Sequence, residues 1–182
     1  MDSQGRIYLS LGSNLGDRRR HLLAGLRGLD AAGVRPVACS PLYRTEPVGG
    51  PPQDDFLNLV LEVETALEPR ALLQVAQQVE HRLGRRPQGE RGGPRSLDID
   101  LLLYRDLTVD EPGLQVPHPR YPQRRFVLVP LAQLAPDQVH PTTGASVAEL
   151  LERCEDGSAV EWHGSPLPLP AGGRLESPPA FG

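Results

Sequence analysis

The sequence predicts an α+β domain in which helices pack on an antiparallel sheet. Alternating apolar residues mark strands from Ile7, from Phe56 and from Leu97, with the period of two expected when successive side chains face opposite sides of a sheet. Apolar residues three and four apart mark helices after Asp17 and after Pro69. These elements follow one another as β-α-β-β-α-β with trailing helices, the order of a ferredoxin-like, split βαβ fold.

Each element has its local reason. In the first strand Ile7, Leu9 and Leu11 alternate with Tyr8 and Ser10, and Gly12-Ser13-Asn14-Leu15-Gly16-Asp17 turns the chain. Asp17 caps a helix whose stripe is Leu22, Leu23, Leu26 and Leu29, and Gly33 ends it. Residues 34–40 read as a second strand, placed at an edge by Pro36, and Tyr43 to Pro52 as a loop punctuated by Pro and Gly. From Phe56 to Glu64, Leu57, Leu59, Leu61 and Val63 take one face, and Phe56, Asn58, Val60 and Glu62 the other. Pro69 opens a helix with Leu72, Leu73, Ala76, Val79 and Leu83 at helical spacing, closed by Gly84. A Gly-rich loop follows over residues 85–95, with four arginines against one glutamate. After the third clear strand come a short strand near Leu107 to Val109, a proline-stiffened loop from Leu114 to Pro119, a helix over 126–134 interrupted at Pro130, and a last helix capped by Ser146. From Ser165 onward, eight of eighteen residues are Pro or Gly, which predicts an extended appendage outside the core.

Composition narrows the function classes. The 182 residues suffice for one domain with a real core, and Gly 19 with Pro 20 predicts many turns. A net charge of −4 argues against bulk affinity for nucleic acid or membrane. All 19 basic residues are arginine, which excludes a Walker-type phosphate loop and Schiff-base chemistry, both of which need lysine. Arginine grips phosphate with a planar fork, so phosphate chemistry stays open. Cys39 and Cys154 are isolated, the N-terminus lacks the apolar run of a signal peptide, and no stretch approaches the ~20 apolar residues of a membrane span. A cytoplasmic protein is the expectation.

The chemistry concentrates in Gly93-Pro94-Arg95-Ser96-Leu97-Asp98-Ile99-Asp100. Asp98 and Asp100 share one face of a strand, their Cα atoms roughly 7 Å apart. Two carboxylates so placed can reach one or two hard cations. An Asp-x-Asp alone occurs equally in half-buried strands with solvated carboxylates, but here an arginine-rich loop runs directly into it, as a metal-bound polyphosphate would require.

Five segments in one order carry a resemblance: Gly12 to Gly16, Tyr43-Arg44-Thr45, Phe56-Leu57-Asn58, Gly93 to Asp100, and Val116-Pro117-His118 with Arg124 and Phe126. Over residues 6–153 the chain resembles the 6-hydroxymethyl-7,8-dihydropterin pyrophosphokinases of folate biosynthesis. The resemblance implies transfer of diphosphate from ATP to the pterin hydroxymethyl group with release of AMP, two Mg²⁺ ions, and mobile catalytic loops. It makes residues 1–160 the pyrophosphokinase domain and 161–182 a Pro/Gly-rich tail. It assigns both metal ions to Asp98 and Asp100, phosphate contacts to Arg95, His118 and Arg124, and a place in the closing loop to Arg85. Leu73, Gln77, Glu80, Leu101 and Leu114 fall at positions near the nucleotide. Thr45, Val48, Phe56, Asn58 and Phe126 fall around the pterin. The chain departs from the family pattern at Gly92, where tryptophan is common, at Pro87, where an arginine is replaced, at Pro119, and at Phe56 in place of tyrosine. These changes imply a closing loop that contributes less than usual. The implied partners are the two small-molecule substrates, with no nucleic acid or membrane, acting on a monomer.

The alternative of another class is a ferredoxin-like nucleic-acid-binding module without catalysis. Such modules stack bases on sheet aromatics. Here aromatic content is only 4% and the candidate face carries Asp98 and Asp100.

Overall fold

The computed structural model describes residues 5–84, 93–170 and 174–175. The strand-forming residues come in the order β1 (Ile7–Ser13), β2 (Arg35–Cys39), β3 (Leu42–Thr45), β4 (Phe56–Glu64) and β5 (Asp98–Tyr104), with helices α1 (Arg18–Ala31) and α2 (Pro69–Arg82) as crossovers. A small hairpin of β6 (Val109–Glu111) and β7 (Leu114–Val116), the helices α3 (Arg125–Leu134) and α4 (Val147–Arg153), and the strands β8 (Val160–Gly164) and β9 (Arg174–Leu175) complete the described chain. The main sheet runs β5-β1-β4-β2, with β3 also on β4, and all of these pairings are antiparallel. This is the ferredoxin-like order, as the α+β pattern predicts.

The sheet is buried on both faces by different means. One face carries Leu9, Leu11, Leu59, Leu61 and Ile99 beneath the stripes of α1 and α2 (Leu22, Leu26, Leu29, Leu72, Val79). The other carries Tyr8, Val60 and Leu102 beneath Val127, Leu128 and Leu131 of α3 and Val147 of α4. The helix ends follow their predicted chemistry. Asp17 accepts the Arg20 N–H at 3.1 Å, Pro69 occupies the first turn of α2, and Ser146 and Glu149 form a reciprocal capping box. Gly33 and Gly84 leave α1 and α2 at positive φ, +86° and +96°.

Four expectations need correction. Leu42–Thr45 is strand, not loop, because Ser40-Pro41 interrupts one long strand rather than ending it. The Ser40 N–H donates to the Val60 carbonyl and the Ser40 hydroxyl accepts the Val60 N–H, both at 2.9 Å, so the pairing partner of β4 is maintained across the proline. The short strand near Leu107 begins instead at Val109, and Leu114–Val116 pairs with it. Helix α3 runs through Pro130, which is buried, so tertiary packing offsets the lost backbone bond. The Pro/Leu segment after Ser165 is part of the core rather than an appendage: Leu167 is 0% exposed, Leu169 packs beside it, and β9 pairs in parallel with β2 at Ala38 and Cys39. Leu167→Ala should therefore lower stability by about 2–5 kcal/mol in chemical denaturation; a loss below about 0.5 kcal/mol, as at an exposed site, would contradict this burial.

Candidate active site

The site lies on the sheet face that α3 and α4 cover only in part. Along that face each central strand changes from large apolar residues to small or polar ones. Strand β1 passes from Tyr8 to Ser10 and Gly12, β4 from Val60 to Asn58, and β5 from Leu102 to Asp100 and Asp98. The register sets these positions side by side, with the change in β4 one row further along than in β1 and β5. Asp98, Gly12, Asn58 and Tyr43 pair across four strands in one row, and Asp100, Ser10 and Val60 in the next. With Ser10 and Gly12 in the middle, the sheet has a low floor flanked by carboxylates on one side and an amide on the other.

Gly12 is required there by close approach. A Cβ at this position would sit 2.4 Å from Oδ1 of Asn58 and 3.5 Å from Cδ1 of Phe56. Asn58 therefore lies across the strand, its Nδ2 donating to the hydroxyl of buried Thr45.

Two cavities open from this floor. The smaller, about 210 Å³, is lined by Thr45, Val48, Phe56, Asn58 and Phe126, which are the five residues expected around a pterin. The larger, about 880 Å³, takes Leu73, Leu101 and Leu114 along an apolar wall, with His118 at its polar end. Arg95, Asp98, Asp100, Arg120 and Arg124 line both. The carboxylate pair and three guanidinium groups thus form the partition between two compartments of different character.

Two contacts order the charges in the partition. Arg95 Nη1 lies 2.9 Å from Asp98 Oδ1, each side chain 27% exposed. The Arg124 guanidinium sits over the Phe126 ring, 5.6 Å from its centroid. At the His118 corner, the pairing register of β5 with β1 slips between Tyr8 and Leu9, where Leu102 is the extra residue, and the Leu102 carbonyl accepts the His118 N–H at 2.9 Å. His118 Nδ1 accepts the Arg120 N–H at 3.1 Å, so the ring proton is on Nε2. Burial, with Arg124 and Arg120 nearby, pushes His118 down to about 4, against an opposing pull from Asp98.

Not every expected residue lines a cavity. Gln77 is exposed on α2, and Glu80 is buried behind β5, where its Oε2 accepts the Ile99 N–H at 3.2 Å. Arg85, Pro87 and Gly92 lie outside the described residues. Sequence reading missed Ser10, Gly12, Gln53 and Arg120 as lining residues. Gly12 was legible as a glycine at a strand end, but Arg120 has no local pattern to distinguish it from 18 other arginines. Among the described residues, no group of three or more His, Cys, Asp or Glu converges as a metal cage. Two carboxylates fit Mg²⁺ nonetheless, because that ion is held by one or two carboxylates with waters and substrate phosphates completing its shell.

Comparison with known proteins identifies the family. The family model of 7,8-dihydro-6-hydroxymethylpterin-pyrophosphokinase (HPPK) matches residues 8–136. The chain is 44% identical over 157 residues to the 2-amino-4-hydroxy-6-hydroxymethyldihydropteridine pyrophosphokinase of Methylorubrum extorquens, covering 86% of this chain and 97% of that protein. It is 43% identical over 150 residues to the enzyme of the same name from Pseudomonas aeruginosa, covering 82% and 91%. It is also 38% identical over 150 residues to the folic acid synthesis protein fol1 of Pneumocystis carinii, where it covers 82% of this chain but spans only 20% of that longer protein. Among solved structures, a Plasmodium falciparum HPPK-DHPS with pteroate superposes with a TM-score of 0.65 at 14% identity, over 81% of this chain and 44% of that one, a likeness of fold. The chain belongs to the 7,8-dihydro-6-hydroxymethylpterin-pyrophosphokinase family.

Proposed function

We propose that the two cavities hold the two substrates of one transfer, from ATP to the hydroxymethyl group of 6-hydroxymethyl-7,8-dihydropterin, as the family's name describes. The observation that carries this reading is the shared partition: Arg95, Asp98, Asp100, Arg120 and Arg124 face both compartments at once. The chain is an ATP-dependent diphosphotransferase. The pterin lies in the smaller cavity against Phe56 and Phe126, with Asn58 reading its polar edge, Thr45 holding Asn58, and Val48 at the mouth. ATP lies in the larger, its base along Leu73, Leu101 and Leu114.

The residues act by position and charge. The substrate hydroxyl oxygen attacks the β-phosphorus and loses its proton to solvent, the bond from that phosphorus to the oxygen bridging to the α-phosphate breaks, and AMP leaves while the β,γ-diphosphate moves to the pterin. Such a step demands alignment and neutralisation more than covalent help. Arg95 and Arg124 grip the phosphates, Arg120 adds charge at the junction, and His118 donates Nε2–H to a phosphate oxygen. Two Mg²⁺ ions are assigned to Asp98 and Asp100, and when bound they supply neutralisation of the triphosphate. Glu80 serves the nucleotide side by holding Ile99 between the two aspartates. Gln77 and Arg85 are assigned to the nucleotide side with the family.

The setting follows the same logic. Both cysteines are free, Cys39 buried with its thiol pushed up to about 12 by desolvation, in keeping with a reducing compartment, which we take to be the cytoplasm. No helix among the described residues is long and apolar enough to cross a membrane. We take the chain to act as a monomer on small molecules. A nucleic-acid-binding module is not favoured, since the face it would use is occupied by α3 and by two carboxylates.

Asp98→Asn and Asp100→Asn should each lower AMP formation about a hundredfold or more while leaving the unfolding midpoint near that of the native chain; native rates in either would contradict the metal assignment. His118 should remain neutral in the substrate-free enzyme down to about pH 4 by NMR titration of its ring. Because its folded pKa lies below the ordinary value near 6.5, it stabilises the fold above that pH, and this contribution is lost as pH falls toward 4. A ring titration near 6.5 would remove the neutral-donor role.

A further inference from the structure

We propose that Asn14 is a positioning residue that joins the wall of the pterin cavity to the phosphate-gripping Arg95, so that the two substrates bind cooperatively. The inference rests on the assignment of the two cavities given above.

Asn14 follows β1 and is 3% exposed, an unusual place for a residue mostly found at the surface. It makes four hydrogen bonds in two directions. Toward the Arg95 loop, its own N–H donates to the Arg95 carbonyl at 3.0 Å, and its Oδ1 accepts the Arg95 N–H at 2.8 Å. Toward the loop that precedes β4, its Nδ2 donates to Gln53 Oε1 at 2.8 Å and to the Asp54 carbonyl at 2.9 Å. The side-chain amide thus spends both donors on one segment and its oxygen on the other.

What lies at each end makes this more than a structural tie. Gln53 lines the smaller cavity, and its Nε2 donates to the Pro51 carbonyl at 3.2 Å, so both ends of its amide are engaged. Arg95 lines both cavities and pairs with Asp98. The next residue of the pterin-side loop is also held, the Asp55 carbonyl accepting from Arg18 Nη1 at 3.0 Å. A contact series therefore runs from the wall of the smaller cavity, through one buried amide, to the arginine and carboxylate of the partition. Asparagine suits the place: aspartate would lack the donors and would face two acceptor oxygens, while alanine would leave the Arg95 N–H and the Asp54 carbonyl without this partner. A ligand that orders either loop sets the backbone on which the other loop rests, and such coupling is reciprocal.

The test measures binding of 6-hydroxymethyl-7,8-dihydropterin, with and without Mg²⁺ and an ATP analogue carrying a methylene between the α and β phosphates, in the full native chain and in Asn14→Ala. The native chain should bind the pterin more tightly when the nucleotide is present. Asn14→Ala should lower that enhancement about fivefold while each ligand alone binds within about threefold of native. If Asn14→Ala does not fold, Asn14→Asp, which keeps the acceptor for the Arg95 N–H and loses both donors to the Gln53–Asp54 segment, carries the same expectation. Both ligands binding with the enhancement unchanged in the folded variant would overturn this inference alone. Failure of the native chain to bind either ligand would overturn the cavity assignment and this inference with it.

Discussion

Strand β1 lies antiparallel between β4 and β5, and its register with both is the constraint on which the rest depends. It sets Asp98, Gly12 and Asn58 in one row and Asp100, Ser10 and Val60 in the next. Because side chains alternate between faces, a slip of one residue would send both aspartates into the leucine core beneath α1 and α2. That core, from Leu9 and Leu11 to Leu59 and Leu61, is therefore what holds the active face in phase. The same face is apolar where α3 covers it and polar beyond, the change falling at Ser10 and Asp100 in two neighbouring strands and one row further on, at Asn58, in the third. The site is the part of the sheet that the third helix leaves open.

The electrostatic logic joins two sets of groups that would fail separately. A pair of aspartates repels a polyphosphate, and a cluster of arginines attracts any anion. Placed in one partition, with Arg95 paired to Asp98 and Arg124 and Arg120 beside them, they favour a phosphate chain that brings its own cations. Burial, with the same arginines beside it, pushes the histidine at the corner below its ordinary range, which leaves a neutral ring rather than another charge facing the partition. Arginine in place of lysine throughout supplies planar forks at this partition, where two cavities demand contacts in more than one direction.

Much of this was legible in the residues. The strands β1, β4 and β5 announce themselves by alternation, and Asp98 with Asp100 follows from that alternation without any further information. The helix caps at Asp17 and Ser146 are equally local. What escaped reading is non-local. The continuity of β2 into β3 depends on a serine hydroxyl standing in for a backbone group opposite Val60. The irregularity at Leu102, which supplies the carbonyl that holds His118, exists only in the pairing of two distant strands. Leu167 and Leu169 have the spacing of a one-sided extended segment, but the flanking prolines draw attention away from it. Glu80 presents the converse: placed near the nucleotide by resemblance, it sits under the strand that carries the aspartates.

The central claim is that neighbouring carboxylates on one strand hold the cations of a bound nucleotide between two cavities. Anomalous diffraction from crystals of the full chain with Mn²⁺ and the unreactive α,β-methylene analogue of ATP tests it most directly. The account places the manganese peaks against the carboxylates of Asp98 and Asp100, on the side facing the phosphates. Peaks elsewhere, with those two side chains bearing no metal, would contradict it.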